Sequence, residues 1–223
     1  SISNISSTII QVDAGAGNTI ALTDGTSGNL IVSGGAPTQF ATINLSTVQM
    51  AGFKLTGNVG DDLFTIGNFD GVHLGHVHVL ENLLLHQGEY LQSMVITMWP
   101  HPRKVLHPSA QELRFLTSID EKIELLQNLG VDHLLIIPFT ASFAQLSAEY
   151  FVKEILHDCV GVKKIVLGYD HRFGKNREGS LELLHRLAPM YGFELEEIPK
   201  QEVDNLAISS SKIREFLALG QME

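Results

Sequence analysis

The chain has 223 residues, enough for one large or two small domains, and its formal net charge of −10 argues against a general nucleic-acid binder, which would present a basic face. No apolar run reaches the roughly 18 residues of a membrane helix, and the N-terminus carries no signal-peptide pattern. A single cysteine, Cys159, excludes an internal disulfide; a buried thiol in a reduced, cytoplasmic setting is the expectation.

Composition changes abruptly near residue 62. Residues 1–62 hold one Lys and no Arg, His, Glu or Trp, while all ten His and fourteen of the fifteen Lys and Arg lie beyond. The first part is rich in Gly, Ser, Thr and Asn. Short β-type runs recur about every ten or eleven residues: Thr8 to Val12, Thr19 to Leu22, Asn29 to Val32, Ala41 to Leu45 and Gly52 to Leu55. Turn formers such as Asp24-Gly25 and Gly34-Gly35 separate them. The pattern suggests a small β-sandwich fragment or the turns of a β-solenoid. An adhesive module, a fused partner or an artificial extension would each read this way. Asp61-Asp62 beside Gly60 reads as a solvated turn.

From residue 63 the pattern becomes strand, helix, strand, helix. Leu63 to Ile66 is a short apolar run, read as a buried strand. Gly67, Asn68, Asp70, Gly71 and Gly75 force a sharp turn, and Val77, Leu80, Leu83 and Leu84 then recur at helical spacing. The helix starts near Leu74 and closes at Gly88. A glycine-rich turn that opens a helix favours an anion, because backbone N–H groups and the dipole both point at it. His73 and His76 fall on one side of the first helical turn, where two imidazoles suit a phosphate whose charge grows during reaction. They lack a third ligand nearby, and no His-Glu-x-x-His occurs, so no metal ligand is assigned.

Leu91 to Met98 reads as the next strand, followed by a loop, Trp99-Pro-His-Pro-Arg103, stiffened by two prolines. Ser118-x-x-Glu121 is a capping box for a helix ending at Gly130, with Ile123, Leu125, Leu126 and Leu129 as its core face. His133 to Phe139 is a third strand. Ser147 caps a helix whose Phe151, Ile155 and Leu156 point inward, and Lys164 to Gly168 is a fourth strand. The polar loop from Tyr169 to Gly179 embeds Phe173 and reads as a binding loop. A helix, Leu181 to Tyr191, and a strand, Phe193 to Ile198, follow. The last helix begins among Ser209, Ser210 and Ser211. Lys212 and Arg214 occupy its first turn, where the dipole disfavours cations, which suggests an anionic partner.

Three separated segments carry a resemblance. Gly67-Asn-Phe-Asp-Gly-Val-His-Leu-Gly-His76 resembles the His-x-Gly-His signature of the nucleotidyltransferase superfamily. Gly168-Tyr-Asp-His-Arg-Phe-Gly174 and Ile208-Ser-Ser-Ser-Lys-Ile-Arg214 resemble later motifs of one branch, bacterial FAD synthetase, the adenylyltransferase half of the bifunctional riboflavin kinase/FMN adenylyltransferase. Trp99-Pro-His-Pro-Arg103, Glu121-Lys-Ile-Glu-Leu-Leu126 and Pro138 through Phe143 are similar to that branch too. The likeness runs from about residue 63 to the end. Three departures stand out: 62 unrelated residues replace a short lead-in, Trp99 stands where the family often has Asp or Glu, and the sequence stops where the family continues into a kinase barrel.

The resemblance implies a Rossmann-like, doubly wound parallel α/β sheet over 63–223, preceded by a β-rich segment over 1–62. It implies an enzyme that converts ATP and FMN to FAD and pyrophosphate, with Mg²⁺ held mainly by phosphates. His73, His76 and Arg214 would be catalytic. Gly67, Asn68, Phe69, Asp70, Gly71, His73, His76, Ser209, Ser210 and Arg214 would bind ATP, and Asp170, Phe173, Gly174 and Asn176 would meet flavin. Partners would be small molecules, not nucleic acid or membrane, and no kinase activity is expected. The alternatives are a related nucleotidyltransferase acting on a pantetheine or nicotinamide phosphate, and a non-catalytic binding module.

Overall fold

A computed structural model of the chain describes residues 10–14, 18–21, 28–34, 41–44, 53–56, 63–86, 93–107, 114–199, 202–203 and 206–221. The Gly88 helix stop, the start of the strand expected from Leu91, the Cys159 side chain and the Asp61-Asp62 turn lie outside the described residues.

In the first part, β1 (Ile10–Ala14), β2 (Asn18–Ala21), β3 (Gly28–Gly34), β4 (Ala41–Asn44) and β5 (Phe53–Thr56) pair in two interleaved sets. β1, β3 and β5 form a parallel sheet, and β2 pairs with β4, also in parallel. Alternate strands stacking in parallel is the solenoid pattern.

The second part contributes β6 (Leu63–Ile66), β7 (Ser93–Trp99), β8 (His133–Pro138), β9 (Lys164–Gly168) and β10 (Glu194–Ile198). Their order is β10-β9-β6-β7-β8, all parallel, so the chain winds outward from β6 in both directions. The sheet does not stop at β8: β4 pairs with it in parallel and β2 continues the edge, giving seven strands.

The two-residue period of the strands sorts their side chains onto two faces. Phe64, Ile66, Met94, Ile96, Leu135, Ile137, Ile165 and Leu167 face one core, and Leu63, Val95, Leu134, Ile136 and Val166 face the other. α1 (Leu74–Leu85) and α3 (Ile119–Asn128) cover the second face through Leu80, Leu83 and Leu126. The first is covered by α4 (Ala148–Tyr150), which continues as the π-helical stretch Phe151–Val160, and by α5 (Leu181–Tyr191). Each fully buried Leu or Phe here contributes about 1.5–3 kcal/mol.

Two expectations need correction. Leu125 is not on the core face of α3; it is 38% exposed, and Lys122 fills the buried position instead. The segment after β7 is not only a loop: a short helix, α2 (Pro102–Leu106), starts inside it, with His101 Nδ1 accepting from the Arg103 N–H. The last elements are a two-stranded ribbon, β11 (Glu202–Val203) with β12 (Leu206–Ala207), and α6 (Ser210–Ala218).

The strand order fixes where a ligand can enter. β6 and β9 are neighbours but their chains depart to opposite sides, which makes this the switch point of the sheet. They pair only at Leu63 with Lys164 and Phe64 with Ile165. Beyond those pairs they part, and the turn after β6 and the loop after β9 both start at this end.

Candidate active site

The turn after β6 is held in a conformation that side chains resist. Phe69 and Val72 have φ of 46° and 37°, and Gly71 has 85°. A Cβ on Gly71 would meet Leu116 Cδ1 at 2.7 Å, so both the angle and the space require glycine. Asp70 is 3% exposed and acts as the hub. Its Oδ1 accepts from the Leu116 and Thr117 N–H groups at 3.0 and 3.2 Å, and its Oδ2 pairs with Arg214 Nη2. The Asp70 carbonyl accepts from Ser210 Oγ at 2.9 Å, and Gly71 N–H donates to Thr117 Oγ1 at 3.0 Å. One aspartate thus ties the turn to the segment before α3 and to α6.

These ties bring two helix N-termini side by side. α1 begins at His73, which offers its first turn no side-chain cap. α6 begins at Ser209, whose Oγ accepts from the Lys212 N–H at 3.3 Å. The Ile208 carbonyl, at the lead-in to α6, lies 3.7 Å from where a Cβ on Gly75 would sit. Adjacent N-termini add their dipoles toward an anion.

His73 and His76 stack in this place, ring centroids 3.6 Å apart and planes 16° from parallel. Phe69 tilts against His76 at 5.2 Å. Burial pushes His76 down to about 3, helped by the charges of His73 and Lys122. Burial also lowers His73. Both rings are therefore neutral at pH 7, and like charges could not share so close a stack. The Nδ1 atoms of both are buried without a partner. A bare acceptor costs less than a stranded N–H, which favours the tautomer that leaves Nε2–H as each ring's donor.

Two residues join this set that sequence reasoning did not assign. His101 packs at 5.7 Å from the Phe115 ring, and burial lowers it to about 4, against the pull of Asp70. Lys122, only 3% exposed, reaches from α3 to donate to the Asn68 carbonyl at 2.6 Å. The signal for His101 was its rigid proline frame; a lysine in a helix sends none.

The expected site residues fall in two groups. Gly67, Asn68, Phe69, Asp70, Gly71, His73, His76, Ser209, Ser210 and Arg214 meet in the turn and the two helix starts just described. Asp70 and Arg214 spend their charges on each other there. Asp170, Phe173, Gly174 and Asn176 lie on the loop after β9. Phe173 is 7% exposed and packs on Phe151 at 5.6 Å, while Gly174 closes on Ala148 and Asp170 and Asn176 stay exposed. Phe173 and Gly179 exchange backbone hydrogen bonds that pinch the loop shut.

Comparison with known proteins agrees with this geometry. The FAD synthetase family profile matches residues 57–212. The bifunctional riboflavin kinase/FMN adenylyltransferase of Buchnera aphidicola subsp. Schizaphis graminum is 38% identical over 161 residues, 71% of this chain and 51% of that protein. A protein from Listeria monocytogenes named FAD synthetase is 34% identical over 161 residues, 72% of this chain and 65% of that protein. The chain spans about half the length of the bifunctional relatives it matches. The crystal structure of a macrolide-efflux protein from Streptococcus pneumoniae shares the fold, with a TM-score of 0.63 at 26% identity over 81% of this chain and 58% of that one. The turn built around His73 and His76, the switch-point sheet and the match over 57–212 together place this chain in the FAD synthetase family.

Proposed function

We propose that the chain transfers AMP from ATP to FMN, giving FAD and pyrophosphate. An oxygen of the FMN phosphate attacks the α-phosphorus of ATP in line. The bond from that phosphorus to the bridging oxygen breaks, and its electron pair leaves on pyrophosphate. Such a reaction asks little covalent chemistry of a protein and much positioning of charge. The observation that carries the reading is the stacked, uncharged His73/His76 pair at the joined N-termini of α1 and α6. Neutral imidazoles with their protons on Nε2 each keep one donor for a phosphate oxygen. Their donation strengthens as charge builds on the departing pyrophosphate. Ser209, Ser210 and Arg214 hold the triphosphate, and Arg214 must loosen from Asp70 to do so.

Magnesium fits this site only as an ion carried by phosphate. Both Asp70 oxygens are engaged, and the described residues contain no cluster of three or more His, Cys, Asp or Glu side chains able to hold a metal. When bound with ATP, the ion neutralises phosphate charge. On the acceptor side, the loop after β9 faces the flavin, with Asp170 and Asn176 on its open surface and Phe173 and Gly174 fixing it to the core. We take residues 63–223 as the catalytic domain and residues 1–62 as a β-rich addition to it, whose strands β4 and β2 extend the sheet edge. No helix among the described residues is long and apolar enough to cross a membrane. We place the chain in the cytoplasm, where its substrates are, and assign the kinase activity in the relatives' names to their remaining length.

The test is FAD formation from FMN, ATP and Mg²⁺, resolved by chromatography with fluorescence. His76→Ala should lower kcat at least about a hundredfold, the scale of one lost charge-stabilising donor. A folded chain that makes no FAD overturns the choice of acceptor and directs the assay to pantetheine or nicotinamide phosphates.

A further inference from the structure

Helix α3 buries a lysine where its pattern offers a place for a methionine. Lys122 shares its face with Leu126 and has only 3% of its surface exposed. Its Nζ donates to the Asn68 carbonyl at 2.6 Å and lies 5.9 Å from the Trp99 ring centroid. An ammonium has three donors, and the Asn68 oxygen is the hydrogen-bond acceptor it meets among the described residues. No carboxylate among the described residues takes the other two, because Asp70 is held by Leu116, Thr117 and Arg214. Folding alone gains nothing from so thinly partnered a cation; an apolar side chain of the same length would fill the space without desolvation. The charge does reach the functional residues, since it helps hold His76 and His101 in their neutral forms.

Resting on the nucleotidyltransferase reading above, we propose that Lys122 is a positioning residue for the polyphosphate. It fixes the Asn68 carbonyl at the head of the turn and keeps a buried positive charge beside His76 that an incoming polyphosphate completes. The titratable groups that feel it or act on it are Asp70 on the turn, His76 on α1 and His101 after β7, while Arg103 and Arg214 act on His101. Burial holds the ammonium down to about 8, against the pull of Asp70. A bound polyanion favours the charged form, so the site must take up a proton at mildly alkaline pH. His76 and His101 are already uncharged there and do not contribute.

The experiment is calorimetric titration of the full chain with ATP and Mg²⁺ at pH 8.5, in two buffers of different ionisation enthalpy. The wild-type chain should take up about three-quarters of a proton per ATP, because a lysine at about 8 starts mostly uncharged at this pH and ends charged. Lys122→Met should abolish the uptake and weaken binding at least about tenfold, the scale of one lost charge-assisted contact. Lys122→Arg should abolish the uptake while binding more tightly than Lys122→Met. ATP bound by the wild type without uptake, or equal uptake in Lys122→Met, overturns the proposal. ATP bound with uptake but no FAD formed overturns the FMN reading and leaves Lys122 in place. No binding of ATP by the wild type overturns both.

Discussion

Asp70 carries more of this site than its size suggests. A carboxylate 3% exposed is costly to bury unless donors meet its oxygens, and here two backbone N–H groups and Arg214 do so. Replacing it with alanine strands the guanidinium of Arg214 and two amides at once. Asp70→Ala should cost about 3–5 kcal/mol, the range for breaking a buried pair from one side. Urea unfolding measures this; a loss below about 1 kcal/mol would mean that water replaces the partners and that Asp70 is not the hub. Gly71 offers an independent check on the same turn. With φ at 85° and Leu116 2.7 Å from where an alanine Cβ would sit, Gly71→Ala should destabilise by about 2–4 kcal/mol through strain and overlap. An unchanged midpoint would show that the turn relaxes freely.

Among the helices, α6 and the short α2 differ from α1, α3, α4 and α5 because none of their residues is buried, and α6 is the longer of the two. Polar contacts dock α6: Ser210 to the Asp70 carbonyl, Arg214 to Asp70 and to the Arg114 carbonyl at 2.9 Å, and Arg103 to Ser211 at 3.4 Å. Such an element opens at a fraction of the global unfolding cost. Its amides should therefore exchange with solvent faster than those of β6, β7 and β8, and saturating ATP should slow them. Mass-spectrometric hydrogen exchange reads both effects; protection of α6 equal to that of the central strands would contradict the picture. The elements also show what the sequence makes legible. Strand β9 and helix α5 follow their apolar periods to the residue, and the α3 capping box closes with both of its hydrogen bonds. Local chemistry determines each of these. Lys122 was not legible, because a lysine within a helix reads as surface and only the distant Asn68 carbonyl explains it. The Asp70–Arg214 pair spans 144 residues of sequence, so the odd cation at the start of α6 signalled an anion without showing that a nearby one belongs to the chain itself. Phe173 shows the converse. Its place in a polar loop suggested a ligand contact, but Phe151 waits beneath it in the core.

At the scale of the molecule, folding buries histidines that water would charge. His76 is pushed down to about 3 and His171 to about 4, in both cases mainly by burial, while an unfolded histidine titrates near 6.5. Between those values the unfolded chain binds protons that the native chain refuses, so stability rises with pH there and is lost as pH falls from 6.5 toward 4. Each of these two groups should cost about 2 kcal/mol between pH 6.5 and 5, at roughly 1.4 kcal/mol per pH unit. His101, buried and also lowered to about 4, adds a contribution of the same sign. Lys122 acts on the alkaline side with the same sign. Its native value of about 8 lies below the ordinary 10.5, so the unfolded chain again binds the extra proton and stability grows between these values. The urea midpoint at constant ionic strength should therefore be lower at pH 5 than at pH 7, and no lower at pH 8.5 than at pH 7. His171→Gln removes one of these histidine rings, whose Nε2 is buried, without touching the proposed phosphate site, and it should shrink the pH 5 deficit by about 2 kcal/mol. Midpoints that coincide at pH 5 and pH 7 would mean that the rings take protons in place, and with that the neutral His73/His76 stack would lose its physical basis.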